Sequence, residues 1–210
     1  MEKITYLLKS IFLISLLGIA SSCTKWNYQD GGLANGTHDC SMWDYFKKQP
    51  YDWDSTMVMI EHAGMRDIFE GKSEYGQITF LGVTNLSIQT YLLQNKMKRV
   101  TDMSPAFCKK MLSKLIIPQR LMVTNIPRGE RIASTGAEVG GIRTQTLDGE
   151  LFMWTHQEPY MGILDVGEIA LYFHMDGAAN DLRIYSTDIQ TNNGVVQALG
   201  YDFIFDNINN

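Results

Sequence analysis

Four histidines, His38, His62, His156 and His174, have the residue type for acid–base or metal chemistry. Their spacing supports neither. His62 follows Glu61 directly but has no second histidine four residues along, so the two-ligand helical zinc geometry is missing. His156, in "MWTHQEPY", and His174, before Asp176 and Gly177, end strand-like runs, where a solvated imidazole is the ordinary case. A serine nucleophile would need G-x-S-x-G, and a phosphate cradle G-x-x-x-x-G-K-[ST]; neither string occurs. Glu158, Asp165 and Glu168 have the residue type for paired-carboxylate glycoside hydrolysis, which requires two acids around one groove. No residue is assigned to catalysis, a metal or a cofactor. The sequence points to a non-enzymatic binding protein, with an envelope hydrolase as the rival.

Binding chemistry has a better carrier. "FMWTHQEPYMG" gathers Phe152, Trp154 and Tyr160, and aromatic rings are what many surface proteins use to grip sugars. Phe152 and Trp154 share strand parity and are expected to face the core. Tyr160, between Pro159 and Met161-Gly162, is expected on a loop that presents it outward. It is the candidate ligand-binding residue, for a glycan or protein ligand.

The elements that must position these residues fit in 210 residues with 45% hydrophobic and 20% charged side chains. That is enough for one domain with its own core. The net charge is −5, without a concentrated basic stretch, which argues against nucleic acid as a partner.

The first residues read as a targeting segment. Lys3 and Lys9 precede an apolar run around positions 11–17, then small residues, the order of a secretory signal. The run is shorter than the roughly 20 residues of a membrane-spanning helix. Ala20, Ser21 and Ser22 run straight into Cys23, which resembles the lipobox of bacterial lipoproteins, with Ala20 in place of the usual Leu. The resemblance implies acylation of Cys23 and a membrane partner reached through that lipid. Residues 1–22 are then the signal and 23–40 a polar tether, whose Trp26 and Tyr28 suit a lipid interface. Cys40 and Cys108 remain, without C-x-x-C spacing. A buried free thiol at Cys108, on the stripe with Phe107 and Met111, is favoured over pairing with Cys40, which stays open.

Helical signals crowd the first half of the domain. Ser41 caps one helix that stops at Pro50, and Asp54 or Ser55 caps a second that runs to Gly71. A strand at 78–83 and a helix bearing Ile88, Tyr91 and Leu92 follow. Ser104 and Pro105 open another helix, with Pro118 as its stop. Beyond it the period becomes alternating, giving strands at 120–123, 131–133, 142–147, 151–155, 168–173, 182–186 and 195–205. Asp148-Gly149 and Asn193-Gly194 are expected to turn two tight hairpins, the second through positive φ. The order of elements predicts an α+β fold, with a helical N-terminal half and an antiparallel β-wedge.

Two stretches carry a family resemblance. "ITFLGVTN" resembles the first fasciclin box, T-V-F-A-P-T-N. Thr79, Phe80, Thr84 and Asn85 match it, while Leu81, Gly82 and Val83 depart. "DIQTNNGVVQAL" resembles the second, N-G-V-V-H, through Asn193, Gly194, Val195 and Val196, with Gln197 in place of His. In the family's Tyr-His position stand Lys114 and Leu115, so an animal-type receptor partner does not carry over. The resemblance spans about residues 41–206 and implies a fasciclin-like domain at a cell surface, adhesive and ligand-binding rather than catalytic. It also implies, as an alternative, an accessory glycan-binding lipoprotein of an outer-membrane polysaccharide-uptake system.

Overall fold

The computed structural model describes residues 36–208. The expected signal segment, Cys23 and most of the tether lie outside the described residues. Chain order is α1 (Met42–Lys48), α2 (Pro50–His62), α3 (Arg66–Phe69), β1 (Ile78–Gly82), α4 (Asn85–Gln94), α5 (Pro105–Lys114) and β2 (Ile116–Ile117), then seven strands. These are β3 (Gly129–Ile132), β4 (Ala137–Gly140), β5 (Ile142–Thr146), β6 (Gly149–Gln157), β7 (Ile169–Met175), β8 (Leu182–Thr191) and β9 (Gly194–Leu199). Seven strands form one sheet in the order β2-β1-β9-β8-β7-β6-β5, while β3 and β4 pair as a separate hairpin. Only β1 and β9 run parallel, with Ile78 opposite Gly194; the other neighbours are antiparallel. The α+β expectation matches this mixed architecture.

Local chemistry explains the helix ends. Ser41 and Ser104 accept the backbone N–H of Asp44 and Phe107, as N-caps do. Pro50 both closes α1 and opens α2 as its first residue, where its missing N–H costs nothing. The cap expected at Asp54 or Ser55 is therefore wrong. The N–H of Ser55 is instead taken by the Asn85 side chain at 2.7 Å. The second helix also does not reach Gly71. Gly64 adopts φ +68°, the left-handed conformation that ends a helix, and α3 restarts beyond it.

Three strand expectations change. Residues 120–123 form no strand, because the chain enters a short 3-10 turn at Val123–Asn125. The β9 strand stops at Leu199 rather than 205, and Phe205–Asn207 is a 3-10 turn. The β8 strand continues past 186 to Thr191 through a bulge at Asp188, whose φ is +58°. The sheet also reaches back before Ser41. Gln190 N–H donates to the Gly36 carbonyl and His38 N–H to that of Gln190, so 36–40 pack beside β8.

The core lies between the helices and one face of the sheet. Met42, Phe46, Trp53, Phe69 and Phe80 are buried with Leu151, Met153, Leu171 and Phe173. Phe46 stacks on Trp53 at 4.8 Å and meets Phe69 and Phe80 edge-on or tilted, contacts that add to area burial. Cys108 sits fully buried and free, its thiol pushed up to about 11 by desolvation. Cys40 is free as well, and half-buried.

Candidate binding site

The residues that carry the two sequence boxes are occupied in holding the fold together. The Thr79 hydroxyl donates to the Gln119 carbonyl at 2.7 Å and accepts the Leu121 N–H at 2.8 Å. Asn85 ties α4 to α2 by donating to the carbonyls of Pro50 and Tyr51 and accepting from Ser55. Asn193 is buried; its Oδ1 accepts the Met42 N–H at 2.7 Å and its Nδ2 donates to the Phe69 carbonyl at 3.0 Å. The β8–β9 turn is made by Asn192 and Asn193; of the Asn193-Gly194 pair expected to carry positive φ, Asn193 does not and Gly194 does, at +157°. Gly194 is required for another reason: a Cβ there would lie 2.1 Å from the Ile78 carbonyl oxygen of the parallel neighbour. Gln197, fully buried, bonds the Leu121 carbonyl and both the N–H and carboxylate of Asp188. Lys114 donates to the Ile208 carbonyl at 2.7 Å, and burial pulls its ammonium below the usual lysine value. These positions build the fold and leave no free group for a ligand.

The acids and histidines considered for catalysis are dispersed among separate partners. Glu158 accepts the Tyr172 hydroxyl at 2.7 Å, Asp165 pairs with Arg128, and Glu168 pairs with Arg183. Burial and the Glu158 carboxylate push the Tyr172 phenol up to about 12. His62 Nε2 meets the Met103 carbonyl at 2.9 Å, and His38 lies against Tyr45. His174 is buried, with Nδ1 3.0 Å from Asp181, a contact too bent to count as a hydrogen bond. Among the described residues no three His, Cys, Asp or Glu gather as a metal site.

Phe152 and Trp154 are buried, but not in the main core. Their parity puts them on the opposite face of β6 from Leu151 and Met153, so the expected direction is reversed. There the rings of Phe152, Trp154 and Tyr172 stack at 5.1 and 5.7 Å. The β3–β4 hairpin closes over them; a Cβ on Gly141 would strike the Phe152 ring at 2.5 Å. A depression of about 310 Å³ remains beside Trp154, edged by Arg131, His156 and Glu158. Arg131 is committed to Asp181 at 3.3 Å.

Tyr160 stands on the β6–β7 connection with 62% of its surface exposed. The connection is an ordered prominence. Tyr160 and Ile163 exchange backbone hydrogen bonds at 3.0 and 2.9 Å around Met161-Gly162. Its neck is closed by Gly167 N–H to Glu158 carbonyl and by the Arg128–Asp165 pair. Met161, Ile163, Leu164 and Val166 are exposed beside Tyr160. The sequence signal for the prominence is the apolar run "YMGILDV", of which only Tyr160 has the residue type of a sugar-stacking ring.

A further exposed aromatic group was missed because its members are far apart in the chain. Tyr51, at the start of α2, Tyr185 on β8 and Tyr201 after β9 line a depression of about 410 Å³ with Asp52, Leu86 and Gln89.

No family model matches the sequence, and no curated protein matches it. Among solved structures, a FAS1 domain pair from the insect cell adhesion molecule fasciclin I superposes with a TM-score of 0.52. It shares 12% identity over 76% of this chain, which spans about half (49%) of that structure. The fold class is therefore that of the FAS1 domain, a mixed helix-and-sheet unit with a mostly antiparallel sheet.

Proposed function

We propose that this chain is a lipid-anchored, non-enzymatic binding domain of a bacterial cell envelope, acting in adhesion through the β6–β7 prominence. The observation that carries the reading is that Tyr160, Met161, Ile163, Leu164 and Val166 are all exposed on one tied hairpin. Apolar surface in water costs roughly 25 cal/mol per Å², so a contiguous exposed group marks a contact site rather than chance. A pre-ordered loop also loses little entropy on engagement. The FAS1-type fold shared with an insect cell adhesion molecule supports the same reading. Acylation at Cys23 would hold the domain at the outer membrane, facing the surface or the periplasm. Glu158 and Glu168 face each other across the ends of β6 and β7, but with Asp165 each is engaged, by Tyr172, Arg183 and Arg128 respectively, which disfavours the hydrolase.

The test uses beads coated with the purified protein. Wild-type beads are expected to adhere to one another or to envelope-bearing cells, and Ile163→Glu/Leu164→Glu beads to lose adhesion at an unchanged melting temperature. Equal adhesion by both would reject the prominence as the contact. A second reading, glycan capture with Tyr160 as the stacking ring, rests on that ring's exposure; weakened glycan binding by Tyr160→Ala is its signature.

A further inference from the structure

The depression between α2, α4 and the C-terminal end of the sheet belongs to none of the preceding roles. Its walls come from residues about 150 positions apart: Tyr51 and Asp52 open α2, Leu86 and Gln89 lie on α4, Tyr185 is on β8, and Tyr201 follows β9. The three tyrosines are 88%, 55% and 70% exposed, an unusual concentration of aromatic surface left in water around one hollow. Tyr185 is fixed in place. Its ring covers Gly200, where a Cβ would lie 2.4 Å away, and its hydroxyl reaches Asp202 at 3.4 Å. The nearby Asp202 carboxylate keeps that phenol protonated above its ordinary range. Asn85, at the rim, is held by three hydrogen bonds to α2, so the α2–α4 wall is rigid.

The polar groups of the hollow complete the chemistry. The Asp52 carboxylate, the Gln89 amide and the hydroxyls of Tyr51 and Tyr201 have no hydrogen-bond partner among the described residues. They can donate and accept toward a bound molecule without breaking an internal bond. Flat rings for the C–H faces of pyranoses, set beside a carboxylate and an amide for vicinal hydroxyls, are the recognition elements of a sugar site. The lining contains no Lys, Arg or His, and carries the negative charge of Asp52. An acidic glycan would therefore meet repulsion, while a neutral one would not. The depression, at about 410 Å³, is large enough for a short run of sugar units rather than one methyl-sized group.

We propose that this tyrosine-lined depression is a binding site for a neutral polysaccharide chain, with Tyr51 and Tyr201 as stacking platforms and Asp52 and Gln89 as hydroxyl partners. The site is built from different elements than the β6–β7 prominence, and its occupancy does not depend on adhesion there.

The experiment is native affinity electrophoresis of the full chain in detergent. The gels contain a soluble α-glucan, mixed-linkage β-glucan, xylan or galactomannan, with polygalacturonate and chondroitin sulfate as acidic comparisons. At least one neutral polymer is expected to retard the protein, and neither acidic one. Tyr51→Ala/Tyr201→Ala should weaken that retardation at least tenfold, and Gln89→Ala by a smaller factor, at an unchanged melting temperature. Tyr160→Ala should leave it intact, which separates this site from the Tyr160 reading. Failure of every neutral polymer to retard the protein overturns the proposal. So does retardation that survives the double substitution, or retardation by the acidic polymers alone.

Discussion

Replacing Asn193 with alanine should be among the most damaging single changes in the domain. The side chain is buried and joins three elements: it accepts the Met42 N–H at 2.7 Å at the start of α1, donates to the Phe69 carbonyl at 3.0 Å at the end of α3, and sits in the β8–β9 turn. The Met42 N–H is one of the unpaired first-turn donors of a helix, and Met42 is buried, so no water replaces the lost acceptor. A buried donor or acceptor left unsatisfied costs about 1–3 kcal/mol. With two such groups, Asn193→Ala should lose about 2–6 kcal/mol. For a domain of this length that corresponds to a fall of roughly 10 °C in melting temperature. Urea titration followed by circular dichroism measures it, with the slope unchanged and the midpoint lowered. Asn193→Asp, which keeps the acceptor but turns a carboxylate toward the Ile68 and Phe69 carbonyls, should be no better. Asn192→Ala should cost less than about 1 kcal/mol, since its side chain makes only an exposed bond to Asp39. A loss below about 0.5 kcal/mol for Asn193→Ala would refute the clamp.

Gly194→Val should destabilise by about 3 kcal/mol through collision with the Ile78 carbonyl, read as a lower urea midpoint. Iodoacetamide at pH 8 should label half-buried Cys40 and spare Cys108 until denaturant is added, because the buried thiol is pushed up to about 11; mass spectrometry of the peptides decides it. Asp102, held low by the N–H groups of Lys98 and Arg99, and Asp44, held low by Ser41 and Lys47, bind fewer protons folded than unfolded. Their stabilisation is present above the ordinary aspartate value of 3.8 and is lost as pH falls through the folded one, so urea midpoints should drop on acidification and drop less in Asp102→Asn. Cys23→Ser should release the protein from membranes and abolish palmitate labelling, assayed by fractionation of labelled cells.

The periodicity and capping residues made most of the fold legible. Ser41, Ser104, Pro105 and the strand parity of β6 act through neighbours close in sequence, so local rules reach them. What failed was non-local. Gly64 split a helix whose apolar spacing ran through it, because left-handed geometry there lets α3 change direction. Gly194 and Asn193 looked like a self-contained turn, yet each is set by a partner over a hundred residues away, Ile78 for one and Met42 for the other. Parity placed Phe152 and Trp154 on one face of β6 but not which face, since only the β3–β4 hairpin supplies their second cover. The exposure of Tyr160 followed from its proline and glycine neighbours. The Tyr51–Tyr185–Tyr201 hollow had no local signature, as it exists only once β8 and β9 bring their ends to α2 and α4.

The central claim is adhesion through the β6–β7 prominence, and the most direct measurement is adherence of the cells that make this protein. Cells carrying wild type should adhere, while Cys23→Ser and Ile163→Glu/Leu164→Glu should each reduce adherence to the level of a deletion strain, the second with normal amounts of folded protein at the membrane. Undiminished adherence by the prominence variant, with its folding and membrane level verified, would contradict the account.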